Sequence, residues 1–245
     1  VDGGELIVVV LAIAAGALVK SVSGMGLPII AVPLISLVAP LEQAVVVTVL
    51  AGVATNASIS WQERRHRGEA RDLPVLAVTG VLGAVVGTLL LVHLPEDPVL
   101  AGLALVVISY VIVALAHPEL HVDPVTSRRW APAVGLGAGL LQGATGASGP
   151  VTGTWIHAQR LPRDAHVLAV SILFLMAGMG QLVSLLASGA FAGNWTASLL
   201  GIPVALAAIP LGTRVRGRLS GRGFDLVVLA TLTVAAVTLL VRLVL

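Results

Sequence analysis

Long apolar stretches broken by short polar punctuation run the length of the chain: Leu6 to Val19, Leu27 to Ala39, Ala44 to Ser60, Leu73 to Leu94, Val99 to Ala116, Ala131 to Gly143, Val151 to Ile156, Val167 to Ser188, Thr196 to Thr213 and Leu226 to Val241. Apolar residues in these runs do not alternate. A membrane-spanning barrel would alternate in strands of about ten residues, so the runs predict helices. A helix crosses the hydrocarbon core with about 20 mostly apolar residues. Six of the runs are long enough to cross alone. The other four form two pairs, Leu6 to Ala39 and Ala131 to Ile156, each interrupted by a cluster rich in Gly, Ser or Thr that ends in Pro. Trp61, Trp130 and Trp195 lie at segment ends, where an amphipathic ring settles at headgroup level.

Sliding the chain against itself by 122 residues superimposes the two interrupted pairs and the segments after them. Ser23, Gly24 and Pro28 fall on Thr145, Gly146 and Pro150; Pro40 and Glu42 fall on Pro162 and Asp164. The shared punctuation predicts an internal duplication within one transmembrane domain, repeat one being 1–122 and repeat two 123–245. Arg and Lys collect in short cytoplasmic loops. The basic loops are Trp61 to Asp72, His117 to Trp130, Ala158 to Asp164 and Thr213 to Gly223, whereas Ala39 to Gln43, Pro95 to Pro98 and Gly189 to Asn194 lack both residues. All of these fall on the expected side if each interrupted pair dips into the membrane and returns to its own face. The expected fold is therefore all-α and integral to the membrane: two inverted repeats, each a re-entrant helical hairpin plus three transmembrane helices, with the amino terminus outside. Eight spans with broken helices 1 and 5 is the alternative.

Composition sharpens the class. Of 245 residues, 57% are hydrophobic and 11% charged, with a mean hydropathy of +1.03, far from the roughly one quarter charged of a soluble domain. The isoelectric point near 9.9 comes from arginines in short inter-segment loops, which fit an anionic lipid surface and no nucleic acid. The absence of cysteine removes disulfide, thiol and Cys-metal chemistry. The first apolar run comes after Asp2 and Glu5 with no basic region or small-residue cleavage pattern, so it is expected to stay in the mature protein.

The chemistry concentrates in the interruptions, Ser23-Gly24-Met25-Gly26-Leu27-Pro28 and Thr145-Gly146-Ala147-Ser148-Gly149-Pro150. Pro favours the first helical turn, and Ser, Thr or Gly the cap before it, so each cluster predicts a short helix starting at membrane depth. The free N–H groups of such a start carry about half a positive charge and attract anions. Two inverted halves would bring the two starts together around a small oxyanion. The competing reading is that these glycines serve close helix packing. Lys20, aligned with Gln142, is either a counter-charge for the anion or a side chain snorkelling at a helix end.

The run SVSGMGLPIIAVPLI from Ser21 to Ile35 is similar to the glycine-rich hairpin of the sulfite exporter TauE/SafE family, and LLQGATGASGPVTGTWI resembles that family's second copy. The resemblance covers nearly the whole chain and implies a multi-pass transporter of the cell membrane, with no cofactor, for sulfite, thiosulfate or an organosulfonate. The candidate substrate-binding set is Lys20, Ser21, Ser23, Gly24, Gly26, Thr48, Asn56, Gln142, Thr145, Gly146, Ser148, Gly149, Thr152, Ser171 and Gln181. Expected partners are a small anion and the lipid bilayer, with a homo-oligomer left open. No catalytic residue and no metal site is expected, since the histidines lie at segment ends without cage spacing. A rival reading takes Gly146-Ala147-Ser148-Gly149 as the G-x-S-G of a rhomboid-like intramembrane serine protease with His166 as base. The next-span position of His166 speaks against it.

The absence of native cysteine makes the topology directly testable. Single cysteines near Pro40 and Gly189 should react with an impermeant maleimide from outside, and those near Arg65, Arg160 and Arg218 from inside. Labelling near Arg160 from outside would refute the re-entrant arrangement.

Overall fold

The computed structural model describes residues 3–25, 27–70, 72–95, 122–146, 148–224, 226–227 and 230. Among these the chain is helical throughout: α1 (Gly3–Ser23), α2 (Leu27–Ile35), α3 (Leu41–Gln62), a 3-10 helix (Arg64–Glu69), α4 (Leu73–His93), α5 (Pro124–Thr145), α6 (Gly149–Ala158), α7 (Arg163–Ser188) and α8 (Trp195–Arg218). Five of them, α1, α3, α4, α7 and α8, are long and apolar enough to cross a membrane. The expected spans Val99 to Ala116 and Leu226 to Val241 lie wholly or largely outside the described residues.

The packing is that of a lipid-solvated bundle. Ile7, Leu11, Val78, Leu82, Val183 and Leu211 point outward, while Lys20, Asn56, Gln142, Ser171 and Gln181 are buried. Lipid replaces water as the surrounding medium, so polar side chains are driven inward.

Two boundaries differ from the sequence expectation. α1 runs through Lys20 to Ser23, well past Val19. α5 begins at Pro124, so Arg128, Arg129 and Trp130 occupy its first turns and are not loop residues. Asp123 caps α5, accepting from the backbone N–H groups of Val125 and Thr126, and Pro124 fits the first turn because its missing N–H would be unpaired there. The bond from the Thr126 hydroxyl, helped by those N–H groups, holds the Asp123 carboxyl below the usual carboxylate range. A good cap outweighs the low hydropathy of the segment behind it.

Contacts give the helix directions. Gln43 of α3 meets Asn194 at the start of α8, Ser198 of α8 meets Val46, Gly201 meets Val47, and Glu63 meets Arg216, so α3 and α8 run parallel. Gly201 also meets Ile13, and Gly212 meets Ser21, which adds α1 to that direction. Gly135, Gly139 and Gly143 of α5 step along Leu76, Gly80 and Ala84 of α4, so these two are also parallel. α3 and α7 are antiparallel: Gly178 meets Val53, and the end of α3 meets Asp164 through Arg216. At the end of the bundle where α5 begins, Val122 N–H donates to Ala158 O at 3.1 Å, placing the entry to α5 beside the exit from α6. Under the 122-residue shift, the starts of α3 and α4 coincide with those of α7 and α8, and Gly24 (φ 81°) coincides with Gly146 (φ 71°).

The α4–α5 seam is the tightest in the molecule. A Cβ on Gly139 would strike Gly80 O, and one on Gly143 would strike Ala84 O; on Gly83 it would lie 2.8 Å from Leu140 N. Glycine spacing of four on α5 lets the backbones touch, a close approach that substitutes for hydrophobic drive in lipid. Gly137, one residue off the seam, has open space around it. Gly139→Ala should therefore destabilise the detergent-solubilised protein by about 1–3 kcal/mol, while Gly137→Ala leaves its thermal midpoint unchanged or slightly raised. Equal midpoints for the two variants would show that the seam is not tight.

Candidate functional site

α1 ends in a tight turn whose geometry is repeated at the end of α5. Gly24 N–H donates to Lys20 O at 2.7 Å, and Gly146 N–H donates to Gln142 O at 2.7 Å. Both glycines take positive φ, which any side chain would strain. Short helices come at once, α2 with Pro28 and α6 with Pro150 in their first turns. The two tips touch: Gly146 faces Pro28 and Val32, and Gly149 faces Ile29.

Between the tips, α3 and α7 lies a cleft of about 420 Å³. Lys20 and Gln142 line it from the two turns, Pro28 and Gly146 from the tips, Thr48 and Asn56 from α3, and Phe174 and Gln181 from α7. Lys20 is only 1% exposed. Its ammonium donates to Asn56 Oδ1 and sits 5.4 Å from the Phe174 ring centroid. Among the described residues no carboxylate lies within ion-pair distance of it. A hydrogen bond from a charged donor contributes about 1.5–3 kcal/mol and a cation–π contact about 0.5–2 kcal/mol. Neither supplies a negative charge, so Lys20 when protonated gives the cleft an uncompensated positive charge beside the amino-terminal end of α2.

Opposite Lys20 the lining is neutral and ordered. Gln181 Nε2 donates to Gln142 O at 2.8 Å and Gly143 O at 3.2 Å, and Gln142 Nε2 donates to Gln181 Oε1 at 3.3 Å. Ser148 donates to Gln142 Oε1 at 3.0 Å. Although it is the residue before α6, Ser148 makes no side-chain cap bond, contrary to the sequence expectation: its backbone (φ −90°, ψ 6°) is not the extended one of a capping residue, and its hydroxyl oxygen accepts from Thr152 instead.

Of the sequence candidates, Lys20, Thr48, Asn56, Gln142, Gly146 and Gln181 share the cleft. Ser148 and Thr152 line a smaller cleft against Gly80 and Ala177. Ser21 bonds Ala17 O and packs on Gly212; Ser23 bonds Met25 O within its own turn; Thr145 bonds Leu141 O. Gly24 packs against Val167 and Gly149 against Ile29. Ser171 is buried with no hydrogen-bond partner. Gly26 lies outside the described residues. Phe174 was not a candidate, although the 122-residue shift pairs it with Gly52, and Asn56 with Gly178. All four line the cleft. A bulky residue aligned with glycine in the opposite half was the available signal.

Two other chemistries find little support in the geometry. The Ser148 hydroxyl is engaged by Gln142 and Thr152, and the His166 ring packs between His157 and Phe224. Glu63, His66 and Asp164 bring ligand-type atoms within 4.8 Å of one another, but Arg216 pairs with both carboxylates and supplies positive charge there.

A buried ammonium with no carboxylate costs stability and is retained at functional sites. Lys20→Met, which conserves length and removes the charge, should raise the thermal midpoint of the purified protein by about 2–4 °C for each kcal/mol recovered. A fall of several degrees would mean that the ammonium is structural.

Over residues 8–239 the chain matches the family model described as Sulfite exporter TauE/SafE. No curated protein and no solved structure matches it.

Proposed function

The chain belongs to the sulfite exporter TauE/SafE family, and from that membership we propose that it carries a small sulfur oxyanion, such as sulfite, thiosulfate or an organosulfonate, through the cleft between its two tips. The family is one of membrane transporters of sulfur compounds, and the five long apolar helices fit a membrane protein. The observation that carries the substrate reading is Lys20: a buried amine with no carboxylate at ion-pair distance among the described residues, in a cleft that the start of α2 also faces. An oxyanion would complete that charge and accept from Lys20 and from backbone N–H groups at the tip.

The architecture in this reading is two inverted repeats, 1–122 and 123–245, each with a hairpin that enters and leaves at one face. Three observations support it. α1 and α5, its counterpart under the shift, run in opposite directions, since α1 runs with α3 and α8 while α5 runs with α4, and α4 runs with α7: Leu73 and Leu76 share a core cluster with Val167 and Leu173, Val81 and Ala84 meet Gly180, and Leu91 clusters with Leu185. The Val122–Ala158 bond brings the two ends of the second hairpin together. Gly24 and Gly146 turn the chain at the same offset. The rhomboid-like alternative has less behind it, because the Ser148 hydroxyl is bonded to an amide oxygen and not to an imidazole.

The test is uptake of radiolabelled sulfite, thiosulfate, sulfate and sulfoacetate into proteoliposomes, with binding measured on the same purified variants. Lys20→Gln should weaken binding about tenfold, equivalent to about 1.4 kcal/mol, and leave residual transport. Gly24→Leu and Gly146→Leu should abolish transport while the protein still inserts, through strain at positive φ and obstruction of the tip. Ser23→Ala, Thr145→Ala and Ser148→Ala should each cost about 1 kcal/mol. Unchanged anion affinity in both glycine variants would take the tips out of the site.

A further inference from the structure

Most buried hydroxyls among the described residues have a hydrogen-bond partner. Thr48, Thr55, Thr88 and Ser184 each donate to the carbonyl four residues earlier, the usual way a hydroxyl is satisfied where no water reaches. Ser60 and Ser171, 6% and 0% exposed, have no hydrogen-bond partner among the described residues. Their positions are related. Ser60 lies four residues beyond Asn56 on α3, and Ser171 three residues before Phe174 on α7, spacings that keep each on the face of the cleft residue. Because α3 and α7 are antiparallel, both hydroxyls are displaced from the cleft toward the same end of the bundle.

That end is held by charge. Arg216, near the end of α8 and 5% exposed, bonds Glu63, just beyond the end of α3, and its Nε lies 3.9 Å from Asp164 in the first turn of α7. Arg163 donates from Nη1 to Arg216 O at 3.0 Å and Leu219 O at 3.1 Å, fixing the backbone beneath. At the opposite end Gln43 donates to Asn194 at 3.0 Å, beside an open depression of about 860 Å³ lined by Glu42 and Gly189. Going along α3 and α7 from the cleft to that end, the polar groups therefore come in the order Lys20 and Asn56, the unpartnered hydroxyls of Ser60 and Ser171, and a nearly buried guanidinium.

We propose that this series is the anion's route between the cleft and the Arg216 end, and that the ion pairs of Arg216 with Glu63 and Asp164 are the gate that closes it. The route rests on the transport reading of the cleft. An oxyanion arriving at Arg216 offers the same bidentate acceptor geometry as a carboxylate and can displace one. In transit, the Ser60 and Ser171 hydroxyls replace part of its hydration. The gate joins the ends of three helices, so releasing it frees α3, α7 and α8 to separate where they now meet.

The native chain lacks cysteine, so Ser171→Cys introduces a single reporter. In proteoliposomes, an impermeant maleimide applied from the Arg216 end should modify it slowly, and about tenfold or more faster when Glu63→Gln is added, as expected if the variant shifts a closed population toward open. A reporter at Ser184→Cys, on α7 beyond the cleft, should show no such acceleration. Equal acceleration at both reporters would mean general loosening and would overturn the gate, as would no acceleration at Ser171. Independently, Gln62→Cys with Gly217→Cys, next in sequence to Glu63 and Arg216 and leaving both in place, bridged by a bis-maleimide, should stop uptake that the unbridged double variant retains; a bridged protein that still transports refutes the proposal. If sulfite, thiosulfate, sulfate and sulfoacetate all fail to move in the unaltered protein, the transport reading fails by itself, and the labelling rates still decide whether these ion pairs close a path.

Discussion

A backbone that breaks its helix inside a membrane must be enclosed by other protein, because lipid offers its free N–H and C=O groups no partner. Among the described residues α1 and α5 each end at a positive-φ glycine, Gly24 and Gly146, with a short helix straight after, and the surrounding packing covers both breaks. The α4–α5 seam, where glycines bring two backbones into contact, draws the second break against the bundle. Packing of α1 on α8 does the same for the first. Enclosure also brings the tips together, so that Gly146 rests on Pro28 and Val32. The cleft is the space left between them.

Within that cleft the two turns share one backbone geometry but not their side chains. Lys20 and Gln142 each supply the carbonyl that closes its turn, so their backbone roles are alike. Their side chains are not: Lys20 brings charge, and Gln142 brings an amide ordered by Gln181. Glycines at 52 and 178 leave room for Phe174 and Asn56 at the matching positions of the other half. A symmetric pair of lysines would place two like charges in one low-dielectric cleft, where repulsion is severe. Asymmetry leaves one basic side chain, Lys20, among the described residues of the lining.

Charge divides the two ends of the molecule in the same way. At the Arg216 end, Glu63 and Asp164 flank a guanidinium, whereas the equivalent junction at the Pro40 end is joined by Gln43 and Asn194. Ion pairs that are partly buried hold firmly while complete and become costly when one partner is lost. A neutral amide pair has no comparable penalty, so the two ends differ in how much it takes to part them.

Much of this was legible in the sequence. Apolar runs without alternation dictated helices in lipid, since no soluble core of this size could cover that surface. Proline after a glycine-rich cluster marked where α2 and α6 begin, because the ring sets φ and removes an N–H that would be unpaired. The 122-residue offset anticipated that the turns would share their geometry, and Lys20, Asn56, Gln142 and Gln181 were legible as polar residues within apolar segments, though not whether each is a ligand, interhelical glue or, for Lys20, a snorkelling side chain. Tertiary structure alone decided which of these meet. Hydropathy records how a residue partitions, not which neighbour it faces, so Ser21 could not be told from Lys20 until α8 was seen against it. Phe174 carried no polar signature, being an aromatic residue in an apolar run. The joining of Glu63, Asp164 and Arg216 depended on three helix ends far apart in the chain arriving at one place, which is settled by the close backbone approach of the helices and by no local pattern.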